Sequence, residues 1–423
     1  MTSAAAGSHP PTQPPGSRHG AGLPRNVWVA SATSFLTDIS SEMIINVLPL
    51  FLANVLGVGT AVIGLIEGVA GATASLLKAP AGWVSDRIGS RKWPAVVGYA
   101  VSTGAKPFLL LATSWQTVAG ARWADRVGKG VRTAPRDALL ADSTGPGQRG
   151  LAFGLHRAAD TAGAALGIVV AIAVVSAIQG RSPTLGDHTF RILVLASLVP
   201  AALAVLVLAL GAVDTGARAK PAAAHPPTVP RLRLRNLGSR FMVFLGISAI
   251  FDLGNFSDAF IVLRAQDQGL GVTDILWLMV AFNVVYALVA TPAGSLSDRW
   301  GRKRILVAGW LLYAAVYLGF GTTHEWLPIG ALFVLYGIYY GLTMGTAKAL
   351  ISDLAPPALR GSAYGIYHTV LGVIDLPASI IAGVLWQGVG SWHGMGAAAP
   401  FIFGAATALL AALLLGVTLQ EAR

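Results

Sequence analysis

Long apolar runs alternate with short polar or charged turns along most of this chain. Cutting at Gly/Pro and charge clusters gives apolar segments near 27–54, 60–84, 94–113, 116–141, 149–179 and 190–213. Six more follow near 241–264, 273–297, 304–321, 327–352, 361–388 and 398–419. Each is close to the ~20 residues that a helix needs to cross hydrocarbon. In lipid, only a helix satisfies its own backbone at this length. The pattern therefore predicts an all-α membrane protein with twelve transmembrane helices in two six-helix bundles, 26–213 and 241–423. The stretch between them, "DTGARAKPAAAHPPTVPRLRLR", is Pro/Ala-rich and basic and reads as a linker within 214–240. Residues 1–25 hold Pro, Gly, Ser and Ala but no apolar core, which reads as a disordered tail rather than a signal peptide.

Composition agrees with that reading. The 423 residues are 54% hydrophobic and only 12% charged, with mean hydropathy +0.64. Soluble domains carry roughly a quarter charged residues. The formal charge of +11 would suit a nucleic-acid partner, but its placement argues otherwise. With both termini on the cytoplasmic side, 18 Lys/Arg fall on that side and 3 (Arg181, Arg191, Arg264) on the other, with 9 inside the spans. Basic residues orient membrane proteins in this way. The expected setting is a multi-pass plasma membrane of the bacterial inner type, with the lipid bilayer as partner, no nucleic acid, and a monomer. No cysteine is present, which excludes disulfides and thiolate metal sites.

One cassette occurs twice. "PAGWVSDRIGSRK" (Pro80–Lys92) recurs as "PAGSLSDRWGRKR" (Pro292–Arg304), each after the second helix of its half. A second repeat aligns "ADSTGPGQRGLAFG" (Ala141–Gly154) with "SDLAPPALRGSAYG" (Ser352–Gly365). Two parallel repeats joined by a linker are what alternating access requires, because one half must rock against the other. Gly82 and Gly294 are expected to permit close helix approach, and Gly89 and Gly301 to allow a short turn. Asp86 and Asp298 would complement the positive end of a neighbouring helix.

The doubled Gly-x-x-x-Asp-Arg-x-Gly-x-basic-basic signature resembles that of the major facilitator superfamily, from Val27 to about Leu419. "SFLTDISSEM", "GKGVRTAPRDALLADS" and "FGLHRAADTAGA" resemble a little-characterised bacterial and archaeal branch of presumed exporters. The resemblance implies the major facilitator fold, with helices three, six, nine and twelve facing lipid. It also implies that the cassettes form an inter-half gate. In that gate Asp86 (with Gly82, Arg87, Gly89 and Arg91) would meet the start of helix eleven at Gly361. Asp298 (with Gly294, Arg299 and Gly301) would likewise meet helix five. Topology alone would account for the basic residues.

Ionisable groups within the bilayer are costly and so are functional candidates. The fourth segment holds Arg122, Asp125, Arg126, Lys129, Arg132 and Arg136 at spacings of three or four, which places them along one helical face. Counting ~1.5 Å per residue puts Arg126 near the bilayer midplane, with Asp38, Asp160 and Asp252 close to the same level. Asp38 and Glu42 share a face of helix one. An apolar cavity favours the neutral form of a carboxylate, and a nearby Arg favours the charged form. An acid whose Arg contact makes and breaks is therefore a proton carrier, and proton-coupled exporters of the superfamily place acids on helix one and Arg on helix four. Asp38, Glu42 and Arg126 are the expected coupling residues, the alternative being a permanent Asp38–Arg126 salt bridge. Glu67 is a weaker candidate. Arg122, Lys129, Arg132, His156, Asp160, Asp252 and Asp258 are expected around a substrate cavity.

His156 and Asp160, four apart in "HRAAD", have a spacing compatible with a divalent metal; an Arg157–Asp160 pair is the competing arrangement. Exporters of the superfamily often carry Gly-Pro late in helix five, where this chain has Gly167-Ile168. No phosphate-binding loop, Gly-x-Ser-x-Gly or His-Glu-x-x-His occurs, so no cofactor and no enzymatic activity are expected. The sequence points to a secondary transporter, with proton-coupled export of a small organic solute first. Export of a nickel- or iron-type cation, or transport of an anionic or phosphorylated solute, are the alternatives.

Overall fold

A computed structural model describes residues 22–145, 148–180, 182–215, 237–323, 325–356 and 359–419. Every expected apolar segment is helical, and among the described residues nine helical stretches are long and apolar enough to span a membrane. The expected tail and linker lie mostly outside the described residues. Three segments are broken, so fifteen helices occur among the described residues. The first half comprises α1 (Arg25–Ile45), α2 (Leu48–Asn54), α3 (Thr60–Ile88), α4 (Lys92–Ala105), α5 (Pro107–Leu110), α6 (Trp115–Ser143), α7 (Arg149–Gln179) and α8 (Asp187–Gly211). The second comprises α9 (Ser239–Leu253), α10 (Ala259–Asp267), α11 (Val272–Trp300), α12 (Arg302–Thr322), α13 (Trp326–Leu354), α14 (Arg360–Gln387) and α15 (Ala399–Thr418).

The breaks have local causes. Pro49 opens α2 at its second position and Pro107 opens α5. Proline lacks an N–H and disfavours helical backbone in the residue before it. Between α9 and α10 the segment Gly254–Asp258 leaves the helix. There a Cβ on Gly254 would lie 2.7 Å from the Gly404 Cα, so only glycine lets α15 pack this close. Irregular backbone at membrane depth is tolerated where it lines a cavity. The first break (Ile45, Asn46, Pro49) and the third (Asn255, Phe256, Ser257, Asp258) both do so. They fall on the first helix of each half, so the pseudo-symmetry extends to the irregularities.

The halves meet along α3 and α14, α7 and α11, and α2 and α10. The α3–α14 seam is made of glycine. Cβ atoms on Gly64 and Gly68 would strike the Ser379 and Leu376 backbones, the latter with its carbonyl oxygen at 2.9 Å. Small residues four apart let transmembrane helices touch backbone to backbone. Further contacts lie at the same end of the bundle: Thr60 Oγ1 donates to Gly383 O at 3.2 Å, and Gln266 Nε2 to Pro183 O at 3.1 Å.

Gly68→Ala should therefore force this end apart. Overpacking of this kind costs about 1–3 kcal/mol, enough to shift a two-state population severalfold. The cysteine-free chain accepts spin labels cleanly at Arg87→Cys and Arg299→Cys, both on exposed cassette turns. Gly68→Ala is expected to shorten the label separation as the cassettes swing together. An unchanged distance distribution would mean that α14 absorbs the methyl without a rocking motion.

Candidate functional site

A cavity of about 530 Å³ lies between the halves. Its first-half wall is charged: Glu42, Glu67, Lys78, Arg122, Arg126 and Lys129. The second-half wall supplies Phe256, Phe282 and Tyr340 with the acids Asp258 and Asp375. The sequence reading found most of the first-half charges and Asp258, and missed Lys78 and the aromatic wall, whose signal was the cluster "LYGIYYG" on α13. There Tyr336, Tyr339 and Tyr340 pack against one another and against Phe282 and Tyr313. Tyr336 donates its hydroxyl to Asp258 Oδ1 at 2.7 Å, which fixes that carboxylate at the start of α10.

The densest interaction on the first-half wall is a fork. Arg122 Nε donates to Glu67 Oε1 at 3.0 Å and Arg122 Nη2 to Glu67 Oε2 at 2.8 Å. Paired donors in one plane match a carboxylate, and both side chains are nearly buried, at 8% and 11% exposed. Glu67 was the weaker candidate by sequence and is here the acid that Arg122 of α6 holds. Arg126 lies against its neighbour Asp125 at 3.6 Å. The expected Asp38–Arg126 pair is not formed in this conformation. Asp38 makes no hydrogen bond or ion pair among the described residues, and the charged groups around it include Asp160, Lys129, Glu42, Arg132 and Lys106. Glu42 is held by Asn46 Nδ2 at 2.9 Å, directly at the first helix break.

Lys129 is exposed to the cavity and has no bonded partner among the described residues. Arg132 does not reach the cavity. It is buried against α4, donating to Ser102 Oγ at 3.0 Å and covering the Tyr99 ring at 4.5 Å. Arg136 bonds Asp137 and Ser34. Asp252 is buried in α9, outside the cavity lining, whereas Asp258 lines it.

His156 and Asp160 do approach one another, at 3.8 Å, with Ser34 Oγ at 3.5 Å from the imidazole Nε2. Arg157 instead reaches the Tyr286 hydroxyl of the other half at 3.4 Å, so the competing Arg157–Asp160 pair is absent. No third His, Cys, Asp or Glu joins them in a cluster that could hold a metal ion, among the described residues. Neither His156 nor Asp160 lines the cavity.

The cassettes are internally bonded in this conformation. Arg91 pairs with Asp86 and, at 3.2 Å, with Asp142 at the end of α6. In the second half Arg302 pairs with Asp298 at 3.5 Å and Asp353 at 2.7 Å. The base that closes each triangle differs by one cassette position, since Arg91 aligns with Lys303. Asp86 remains exposed and, among the described residues, is not joined to α14 by a hydrogen bond or ion pair. The positive end of α4 is served instead by Asp214, which accepts from the Arg91 N–H at 2.9 Å. Gly89 and Gly301 both have positive φ, 65° and 96°, as their turns require. Gly82 faces Ala134, 3.3 Å from where its Cβ would be, but Gly294 faces open space, so close approach explains only the first. Arg87 lies 5.3 Å from the Trp83 ring centroid, and Arg299 is exposed.

The family model described as Major Facilitator Superfamily matches residues 30–262 and 242–422. The chain belongs to the major facilitator superfamily. It is 36% identical over 399 residues to an uncharacterised transporter of that superfamily from Methanocaldococcus jannaschii, covering 93% of this chain and 94% of the relative. It is 30% identical over 125 residues to the tetracenomycin C resistance and export protein of Streptomyces glaucescens, covering 30% and 23%. The crystal structure of a nucleoside transporter superposes with a TM-score of 0.76 at 14% identity, over 93% of this chain and 100% of that one. That likeness establishes the transporter fold. This major facilitator protein is a multi-pass membrane transporter.

Proposed function

We propose that this transporter exports a small organic solute in exchange for protons. The observation that carries the reading is the pairing of two unlike walls across one inter-half cavity. Arg126 and Lys129 stand on one side and Phe256, Phe282 and Tyr340 on the other. Its 530 Å³ falls within the ~300–1,000 Å³ typical of small-molecule sites. An organic body fits the aromatic wall, and a polar group fits the charged one. The export direction draws support from the resistance and export protein above, to which part of the chain is similar. A metal cation has no comparable support, because His156 and Asp160 lie off the cavity without a third ligand among the described residues.

A second reading, an anionic solute, is favoured by one observation: the Lys129 ammonium faces the cavity with no bonded partner among the described residues. Lys129→Ala separates the two readings. An anionic solute should lose at least about tenfold in apparent affinity, a charge-assisted hydrogen bond being worth ~1.5–3 kcal/mol, while a neutral solute should be little affected.

A growth screen of an overexpressing strain against toxic organics and metals supplies the substrate. Inverted membrane vesicles then test coupling. An acid-inside gradient should drive the solute in, and a protonophore should abolish the accumulation. Accumulation that needs the opposite gradient, or that ignores pH, would overturn proton-coupled export.

A further inference from the structure

Phe244, Ser248 and Asp252 are spaced four apart along α9, on the face packed against α14. The Phe244 ring stacks on Tyr367 of α14, which also faces Ser248. Ser248 is 2% and Asp252 6% exposed. The Asp252 Oδ2 atom is buried without a hydrogen-bond partner among the described residues. The other Asp252 oxygen accepts from Asn255 Nδ2 at 3.2 Å.

The charged group that faces Asp252 is a second carboxylate, Asp375 on α14. Asp375 also lines the central cavity. It sits against α3 of the other half because Gly71 leaves room, a Cβ there falling 3.3 Å from Asp375 Oδ2. Lys78, two turns along α3 from Gly71, faces it across the halves. The remaining neighbours are Tyr339 of α13 and Tyr367 against Asp252, with Asp137 of α6, Lys348 of α13 and His368 of α14 around Lys78.

Burial and a facing carboxylate both disfavour a charge on Asp252, and one proton held there resolves the conflict. A proton on Asp252 would also turn this orphaned acceptor into a donor.

We propose that Asp252 and Asp375 form a proton-binding pair of the second half, reached from the cavity through Asp375 and controlled by Lys78 of the first half. With Lys78 close, Asp375 stays charged and Asp252 holds the proton. When rocking withdraws Lys78, Asp375 takes up a proton from cavity water. Nothing is oxidised or reduced; a proton moves between water and carboxylate oxygens. The arrangement repeats that of the first half, where Asp38 on α1 faces Asp160 on α7. In each half the acids come from its first and fifth spans, so the fold carries two proton sites.

The count of protons per cycle rests on the proton-coupled reading above, whereas occupancy of the site does not. Infrared spectra of the purified protein in lipid nanodiscs, without substrate, measure that occupancy through the carboxylic-acid C=O band. At neutral pH, Asp252→Asn should reduce the band by one proton's worth. Asp38→Asn should leave that component in place. An unchanged band in folded Asp252→Asn overturns the proposal. So does loss of the band on adding sodium chloride but not choline chloride, which would assign the site to an alkali cation. Should Asp252→Asn fail to fold, Lys78→Met provides an independent reading: its band should grow, and no change overturns control by Lys78. In vesicles, Asp375→Asn, which removes the acid that exchanges its proton, should lower the proton-to-solute ratio, and an unchanged ratio overturns participation in transport. Wild-type protein without pH-driven flux but with the Asp252 band would sink the coupling reading and leave this site standing.

Discussion

Glu67→Ala should destabilise the purified transporter by about 3–5 kcal/mol, the usual cost of leaving one member of a buried ion pair without its partner. Arg122 is 8% exposed and gives both faces of its fork to Glu67, at 3.0 and 2.8 Å. Asp125, at 3.8 Å, is its remaining ion-pair partner among the described residues and already lies against Arg126. Thermal unfolding in detergent, followed by tryptophan fluorescence, measures the loss. Replacing both members (Glu67→Met with Arg122→Met) should recover most of the stability, because apolar residues of similar volume often substitute for a buried pair at little cost. If Glu67→Ala melts as the wild type does, the fork is not holding α3 to α6. If the double variant regains stability but not transport, the pair serves the cycle as well as the fold.

Asp38→Asn should have the opposite signature: normal stability and no pH-driven flux. Asparagine keeps the shape and mimics the protonated carboxyl. Asp38 makes no ion pair among the described residues, and Arg126 lies beside Asp125 instead, so no buried charge is orphaned by the change. The stability change should stay within about 0.5–1 kcal/mol. Flux driven by a pH gradient in proteoliposomes should fall to the level of empty liposomes, with solute binding retained. A loss of several kcal/mol in melting would instead mean that Asp38 serves the fold rather than the proton. Full flux in a stable variant would remove Asp38 as the proton carrier.

These two residues mark where sequence reasoning succeeds and where it stops. Asp38 stood out because an acid in an apolar run needs a reason to be there. Glu67 met the same criterion, but its partner lies 55 positions away, and no local pattern says that α3 and α6 touch. The charge stripe of α6 shows a subtler failure. Spacings of three and four keep residues near one line, yet at about 100° per residue Arg132 is turned by roughly 120° from Arg126. Arg126 therefore lines the cavity while Arg132 is buried against Tyr99 and Ser102. Asp214 escaped notice because the acid that caps α4 comes from beyond α8, not from the cassette beside it.

By itself the sequence determined where the helical segments lie and the two-fold repeat of the cassettes, but not that three segments would break. Span length and hydropathy are properties of consecutive residues, and the bilayer allows them one solution. The turn glycines, Gly89 and Gly301, were readable for the same reason, a tight turn being local. Only the tertiary structure decided which acid meets which base, which charges face the cavity, and that Gly64 and Gly68 join the halves. Those outcomes depend on how each helix is rotated against its neighbours. Rotation is set by close packing summed over all contacts, information that no single segment contains.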